Sequence, residues 1–373
     1  MNPASRFIAQ SSEMAKLLLP DKSTVELDQV TFDDSTNAFR LSDVGGKFGY
    51  EFQYALQKHE VEHEYELHLC YQKDVRNEEI NEVFDRTTGE RIGWSFPVAA
   101  LTTSEHSFAD NEHFLRTAFG AYKKLLAVIT IDEVRASDDQ YLDKLLFLDP
   151  DTVIFCLFRT FIDENIPNFS FRNYYPSLYR FGYTLQKTGT ASSFVEQATG
   201  KIRLNQICES LANETFIDEI FSRLVYETHP LARFVVLYQV IELCLDRILL
   251  KELTSLTDAI RRKDIYVRDI RLKLESFESE KKRINKLFNQ YQPTKDESLR
   301  SQLLQVCKEF LNAIGHGVED SMEFADTFYL VRNTILHNFR NITRGVQYLD
   351  QINDLFSHLV SDLVVTYEEN AVN

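Results

Sequence analysis

Near its carboxyl end the chain carries side chains that suit the chemistry of phosphate esters. Arg332, Asn333 and His337 stand together in the run RNTILH. An imidazole titrates near neutral pH and can both accept and donate a proton, and a guanidinium can hold a phosphate through two hydrogen bonds. The spacing alone carries little weight, because Arg223 and His229 form a comparable pair elsewhere in the chain.

Helical geometry gives this motif more weight than its spacing does. The recurrence of apolar residues predicts a helix with one buried face, formed by Phe324, Phe328, Val331, Ile335 and Phe339. At about 100° per residue from Arg332, a polar strip lies at about 80–140° and contains Arg340, Asn333 and His337, together with Arg344 if the helix extends that far. Arg332 lies at the edge of this strip. The alternative interpretation is an ordinary solvent-facing helix surface.

Helices are predicted throughout residues 229–373. Apolar residues recur at steps of three and four from Leu231 to Ile248, a charged helical hairpin is expected at about 256–290, and a capping-box pattern begins at Thr294. Further helices are expected at about 319–341 and 346–368. Four helices joined by short turns predict an up-and-down bundle, with the hairpin as an insertion.

The rest of the chain predicts a β-rich domain and a mixed connecting region. Short alternating runs within 22–98 predict an antiparallel sheet of about five strands, followed by a helix at 111–129 capped by Asp110. Residues 131–228 are mixed, with a helix near 152–162. We therefore predict an α+β chain, with a β-rich domain at 1–130, a connecting region at 131–228 and the bundle at 229–373.

A possible zinc motif conflicts with the periodicity around it. His59 and His63 form an HExxH pattern, which binds zinc when both histidines share one face of a helix. Residues 60–71 instead alternate as a strand does. In a strand the two histidines would lie about 13 Å apart, too far to bind one ion. We predict no metal and no cofactor.

Composition and charge restrict the function classes. The 373 residues carry a net charge of −16, which argues against a general nucleic-acid coat. Residues 1–228 hold 22 Lys/Arg against 36 Asp/Glu, whereas residues 229–373 hold 19 against 21. The hairpin is locally basic, so Arg261, Arg262 and Lys263 are predicted to attract phosphate groups; a solvated helix face with i,i+4 ion pairs is the alternative. Five scattered cysteines and the lack of a long apolar run predict a cytoplasmic protein with no membrane contact.

Residues 229–373 resemble the HEPN superfamily (higher eukaryote and prokaryote nucleotide-binding), whose members are all-helical bundles. Its signature is an Arg-x4–6-His element, often with a polar residue after the arginine, and Arg332, Asn333 and His337 match it. Residues 233–242 also look like the first helix of the larger prokaryotic members. The resemblance implies a metal-independent RNA endonuclease acting as a homodimer, with His337 as acid/base, Arg332 as phosphate stabiliser and Asn333 as an orienting or substrate-binding group. Arg340 and Arg344 would hold flanking phosphates.

The same resemblance suggests a regulated effector. A free ribonuclease would poison its host, so the acidic amino-terminal part is expected to restrain or trigger the bundle, with an activating or inhibiting partner. Similar architectures occur among toxin-like and antiviral (anti-phage) defence proteins, and tRNA is among the expected RNA targets. The competing hypothesis is a non-catalytic HEPN-like module for binding or dimerisation.

Overall fold

The computed structural model describes residues 15–18, 24–43, 49–60, 64–128, 149–187, 195–196, 198–212, 214–292, 296–337 and 345–368. The chain divides into two compact units. The first comprises Met1–Ser170, Tyr183–Thr188 and Gln197–Leu204, and the second comprises Phe171–Gly182, Gly189–Glu196 and Asn205–Asn373. Segments between residues 171 and 204 belong in turn to the second and to the first unit. This stretch lies within the predicted connecting region, residues 131–228.

The first unit contains a four-stranded antiparallel sheet. Its strands follow one another in chain order: β1 (Ala15–Leu18), β2 (Thr24–Asp33), β3 (Ala38–Asp43) and β4 (Gly49–Gln53). Phe32 and Phe39 are cross-strand partners whose ring centroids lie 4.8 Å apart. The ring of Phe119, on helix α1 (Glu112–Val128), lies 5.1 Å from Phe32 and 5.0 Å from Phe39. This aromatic packing holds the helix against the sheet.

A second sheet of five strands completes this unit. The order is β5-β8-β7-β6-β9, with β5 (Tyr65–Tyr71), β6 (Asn81–Asp85), β7 (Arg91–Pro97), β8 (Thr152–Phe158) and β9 (Lys201–Leu204). Strands β6 and β9 run parallel, and the other pairs are antiparallel. The prediction of one antiparallel sheet within 22–98 is therefore wrong, because the described residues form two sheets and β8 and β9 lie later in the chain.

Strand β8 occupies a stretch that was predicted as a helix. Residues 153–157 are fully buried and pair with β5 on one side and β7 on the other. A strand covered on both faces shows no alternation, so periodicity cannot distinguish its apolar run from a buried helix. Gly93 on β7 permits the close pairing, since a Cβ there would lie 2.3 Å from the carbonyl oxygen of Cys156. Helix α2 (Arg159–Asn165) follows directly.

Helix α1 agrees closely with its prediction. Every residue of the expected apolar stripe is buried: Phe114, Phe119, Tyr122, Leu125 and Leu126. The capping residue differs from the prediction. Asn111, rather than Asp110, caps the helix, because its Oδ1 accepts a hydrogen bond of 3.0 Å from the backbone N–H of Phe114.

In the second unit, the described secondary structure consists of helices and turns. It contains α3 (Tyr175–Arg180), α4 (Thr215–Ser222), α5 (Pro230–Arg262), α6 (Val267–Glu278), α7 (Glu280–Gln290), α8 (Glu297–Ala313), α9 (Phe324–His337) and α10 (Val346–Thr366). The largely buried α10 packs against α3, α5 and α8, and α9 packs against α7 and α8. The predicted charged hairpin corresponds to the end of α5 together with α6 and α7.

The predicted fold class is confirmed. The chain is α+β, with β-sheets in its amino-terminal region and an all-helical carboxyl-terminal region. Among the described helices, none is long and apolar enough to cross a membrane. His59 lies in an irregular segment, whereas His63 lies outside the described residues, so the geometry of the HExxH pattern stays a prediction.

Candidate functional site

Helix α9 turns its predicted apolar face into the bundle. Phe328, Val331 and Ile335 are buried, and Phe324 is half-buried with its ring stacked on that of Phe328. Of the three motif residues on this helix, His337 is exposed, whereas Arg332 and Asn333 are half-buried. Phe339 and Arg340 of the predicted helix lie outside the described residues, and so does Arg344, which follows it.

Arg332 lies between two carboxylates of the same chain. Its Nη2 is 3.5 Å from Oε1 of Glu242 on α5 and 3.3 Å from Oε1 of Glu280 on α7. The guanidinium carbon lies 5.2 Å from the centroid of the Tyr238 ring, and Nη1 donates a hydrogen bond of 3.0 Å to Oδ1 of Asn333. A guanidinium largely removed from water needs such partners, and an aromatic face adds a cation–π attraction.

A buried tyrosine fixes one of these carboxylates. The Tyr238 hydroxyl donates a hydrogen bond of 2.9 Å to Oε1 of Glu280. Burial, and then the Glu280 charge, raise the pKa of Tyr238 well above its ordinary value, so its phenol stays protonated and remains a donor. Glu280 is the first residue of α7, where the helix dipole favours a negative charge. Glu242 follows Tyr238 by four residues on α5 and therefore shares its face.

The charges of this cluster do not favour an anion. One guanidinium faces two carboxylates, so the three groups together carry one net negative charge. The Arg332 side chain is 14% exposed, whereas those of Glu242 and Glu280 are 39% and 25% exposed. Water therefore reaches the carboxylates more easily than the guanidinium. A phosphate can bind Arg332 only if it displaces these carboxylates or if the guanidinium swings away from them.

Asn333 and His337 occupy different environments on α9. Asn333 is half-buried and contacts Arg332, whereas His337 is the last residue of the helix and is exposed. A rise of about 1.5 Å per residue places Arg332 and His337 about 7.5 Å apart along the helix axis. The structure thus brings Asn333 to Arg332, turns Arg332 toward α5 and α7, and leaves the imidazole on the surface.

The three hairpin cations lie far from Arg332. Arg261 and Arg262 end helix α5 and Lys263 follows it, and all three are exposed. Arg261 lies 19 residues after Glu242 on the same helix, which corresponds to about 28 Å along its axis. They therefore form a separate basic surface rather than an extension of the polar strip on α9.

The sequence did not reveal three residues that contact or support Arg332: Tyr238, Glu242 and Glu280. Tyr238 and Glu242 show the i,i+4 spacing of a shared helix face, and Ser279, which caps α7, precedes Glu280. These local signals predict the surroundings of each residue within its own helix. They do not predict that three helices distant in sequence meet at one guanidinium.

A second polar cluster in this unit surrounds His358 on α10. Asp362 accepts hydrogen bonds from Arg180 at 2.9 Å and from Gln292 at 2.8 Å. Burial lowers the pKa of His358 to about 4, and the positive charges of Arg180 and Arg233 act in the same direction. The imidazole is therefore neutral at physiological pH.

His358 is expected to make stability depend on pH. Its pKa is about 4 in the folded chain against 6.5 for an ordinary histidine, so the unfolded chain binds more protons between these values. The free energy of unfolding should fall by up to about 3 kcal/mol as pH drops from about 6.5 to about 4. His358→Asn should reduce this fall in urea unfolding at about pH 7 and about pH 4.5. The raised pKa of Asp362 acts in the opposite direction in both proteins, and an unchanged pH dependence would contradict the assignment.

The site is identified neither by a metal-binding arrangement of side chains nor by similarity to known proteins. Among the residues that the structure describes, no group of three or more His, Cys, Asp or Glu side chains is arranged to hold a metal ion. No protein-family model matches the chain, and searches of curated proteins and of solved structures return no significant match. The arrangement around Arg332 and His337 is therefore interpreted from its own geometry and chemistry.

Proposed function

We propose that the chain is a metal-independent endoribonuclease in which Arg332, Asn333 and His337 act on the scissile phosphate. One observation carries the proposal: an exposed imidazole ends the same helix that bears a guanidinium held by partly exposed carboxylates. Proton transfer and phosphate stabilisation are thereby available within one helix. The guanidinium is held by carboxylates that water can reach, and it is not enclosed in a solvent-free core. An anionic substrate can therefore compete with these carboxylates for it.

The reaction needs one proton removed and one proton delivered. The imidazole of His337 accepts the proton of the RNA 2′-hydroxyl, the 2′-oxygen attacks phosphorus, and the bond from phosphorus to the 5′-oxygen breaks. In a homodimer the second His337, in its protonated form, gives a proton to the departing 5′-oxygen. The products are a 2′,3′-cyclic phosphate and a 5′-hydroxyl. Arg332 stabilises the charge that gathers on the phosphorane, and Asn333 orients the guanidinium.

The proposal also covers partners and regulation. Two copies of the chain would pair through the helical unit, RNA is the substrate, and tRNA is a candidate target. Arg340 and Arg344 would hold flanking phosphates. The first unit would sense a trigger or bind a partner, as in a toxin-like or anti-phage effector.

Glu242 and Glu280 are expected to restrain the activity. Glu242→Gln together with Glu280→Gln removes both negative charges from Arg332 while keeping the side-chain shapes. RNA cleavage should become about tenfold faster, since loosening each partly exposed pair is worth up to about 1 kcal/mol. The measurement is the single-turnover rate of RNA cleavage in EDTA. Glu252→Gln is the matched control, because Glu252 on α5 pairs with Lys286 on α7, and it should leave the rate unchanged.

The non-catalytic module remains the second candidate function. It is favoured by the pairing of Arg332 with carboxylates of its own chain, which is also the arrangement expected of a structural arginine. In that case the Glu242→Gln and Glu280→Gln pair lowers stability and produces no RNA cleavage. Thermal unfolding and cleavage measured on the same samples distinguish the two functions.

The direct test uses the full chain with RNA and EDTA. Total RNA and tRNA should be cut, whereas single-stranded DNA should remain intact because it lacks the 2′-hydroxyl. The protein without its two glutamate charges is tested beside the wild type, so that a restrained resting state is not mistaken for inactivity. If neither protein cuts any RNA offered, the proposal is wrong.

A further inference from the structure

The turn between α5 and α6 forms a basic, exposed projection, here called the basic tip and defined as residues 261–273. It contains six Lys/Arg and two Asp, a net charge of +4, in a chain whose total is −16. All its residues are exposed except Ile265 and Ile270, which are half-buried. Beyond Leu256, no residue of α5 is buried, so the tip extends past the core of the bundle. This surface attracts polyanions.

Two residues of the basic tip occupy positions where folding favours other residue types. Lys263 has a left-handed backbone (φ 61°, ψ 30°) after the end of α5, where glycine or asparagine is preferred. Tyr266 is the N-cap of α6 but makes no capping hydrogen bond with its side chain, whereas Ser, Thr, Asp or Asn would make one. Local folding therefore does not explain the cation or the aromatic ring, and such departures are expected at functional positions.

Tyr266 and the three cations that precede it are accessible to a ligand. Tyr266 is 82% exposed and Val267 is 83% exposed, although aromatic rings usually pack. Arg261 lies 3.9 Å from Asp258 and Arg262 lies 3.3 Å from Asp264, but ion pairs between exposed side chains contribute little and are easily exchanged. An open aromatic face therefore stands among cations that can contact phosphates.

We propose that the basic tip binds single-stranded RNA, with Tyr266 stacking on a base and Arg261, Arg262 and Lys263 contacting the backbone. A positive surface with an open aromatic ring is the usual means of holding a single strand without reading its sequence. The inference rests on the proposed function for the identity of the polymer, but it requires no cleavage. The tip lies about 28 Å along α5 from the level of Glu242, so it would hold RNA away from the scissile bond.

The distribution of charge favours RNA over a membrane surface. Arg268, Arg271 and Lys273 lie at about 0°, 300° and 140° around α6, so cations surround the helix. A helix that lies in a lipid interface instead confines its cations to one face and its apolar residues to the other. Arg271 forms an ion pair of 2.8 Å with Glu275, but both side chains are exposed, so a phosphate can exchange with the carboxylate.

The test measures RNA binding separately from cleavage. The full chain carrying His337→Ala, in EDTA, is titrated into a fluorescent oligouridine of about 20 nucleotides, and anisotropy gives Kd. Tyr266→Ala should weaken binding by about tenfold, within the range for loss of one stacked base. Tyr266→Trp should keep the affinity, whereas Tyr266→Leu, which is apolar but cannot stack, should behave like alanine. Equal affinity for the Leu and wild-type proteins would overturn the stacking role.

The cations are tested through the salt dependence of the same binding. Replacing Arg261, Arg262 and Lys263 with glutamine should reduce the slope of log K against log salt by about 2, since each single-strand phosphate contact contributes about 0.7. The control removes the same charge from three exposed cations elsewhere, Arg86, Lys123 and Arg223, and should leave the slope unchanged.

Several outcomes would overturn the inference. The first is an equal loss of RNA affinity in the tip and control variants. The second is that tip variants lose binding to anionic phosphatidylserine vesicles but keep binding RNA. The third is that tip variants dissociate a dimer without changing RNA affinity. If neither the wild type nor the protein without its two glutamate charges cuts RNA while tip variants lose RNA binding, the proposed function is refuted and this inference stays intact. A wild type that cuts RNA while tip variants bind normally refutes only this inference.

Discussion

Replacing His337 with alanine is expected to lower the rate of RNA cleavage in EDTA by about 10²–10⁴-fold, the usual contribution of a positioned acid/base. The imidazole is the group that moves protons to and from the RNA oxygens, and no other described histidine lies on α9. The exposed side chain ends its helix, so its removal should leave the fold unchanged. The measurement is single-turnover cleavage of end-labelled RNA across a range of pH.

The matched control for this substitution is His316→Ala. His316 is half-buried in the turn after α8 and should contribute nothing to the rate. Thermal unfolding of all three proteins verifies that folding is intact. Wild-type cleavage by His337→Ala, or an equal loss caused by His316→Ala, would remove the acid/base role from His337.

The second large effect is expected for Arg332→Ala, which should slow cleavage by about 10²–10³-fold. Loss of one group that stabilises transition-state charge has this magnitude, because the phosphorane then develops its charge without a guanidinium. Arg332→Lys should recover only part of the rate, since an ammonium is a point charge and cannot hold two phosphate oxygens in a planar fork. The single-turnover assay used for His337 measures both variants.

A thermodynamic cycle tests whether the glutamates act through Arg332. In the Arg332→Ala background, Glu242→Gln together with Glu280→Gln should no longer accelerate cleavage, because the guanidinium that they restrain is gone. Acceleration of similar size in both backgrounds would indicate a general effect of negative charge on RNA binding. Undiminished cleavage by Arg332→Ala would remove its catalytic role altogether.

The sequence predicted the faces of individual helices well. In α1 and α9 the apolar residues recur at helical spacing over several turns, and burial follows that pattern because one side of each helix must leave water. The division into a β-rich region and a helical region followed from the same change of period. Both features depend on residues that are close together in the chain, within one helix or strand, so they can be predicted from the local sequence.

The sheets could not be predicted fully for a physical reason. Strand β8 is covered on both faces, so its side chains need no alternation between apolar and polar types. Strand β9 contributes only four residues and pairs with β6, more than a hundred positions earlier in the chain. Strand pairing over such distances along the chain is determined by tertiary packing. A short run of sequence contains no information about that packing.

The contacts of Arg332 could not be predicted from the sequence for the same reason. A helical wheel places Arg332 at the edge of the polar strip but does not determine which way a long side chain turns. The structure turns it toward Glu242 and Glu280, from helices about 90 and 52 positions earlier in the chain. The sequence therefore identified a candidate guanidinium and imidazole, but not the carboxylates that restrain the guanidinium.

The most direct measurement of the central claim is the identity of the ends produced from a defined RNA in EDTA. Wild-type protein should produce 2′,3′-cyclic phosphate and 5′-hydroxyl ends, and His337→Ala should produce neither above background. Ends of the other polarity, cleavage that requires a divalent metal, or intact RNA even after Arg332 is released from Glu242 and Glu280 would contradict a reaction carried by this guanidinium and imidazole.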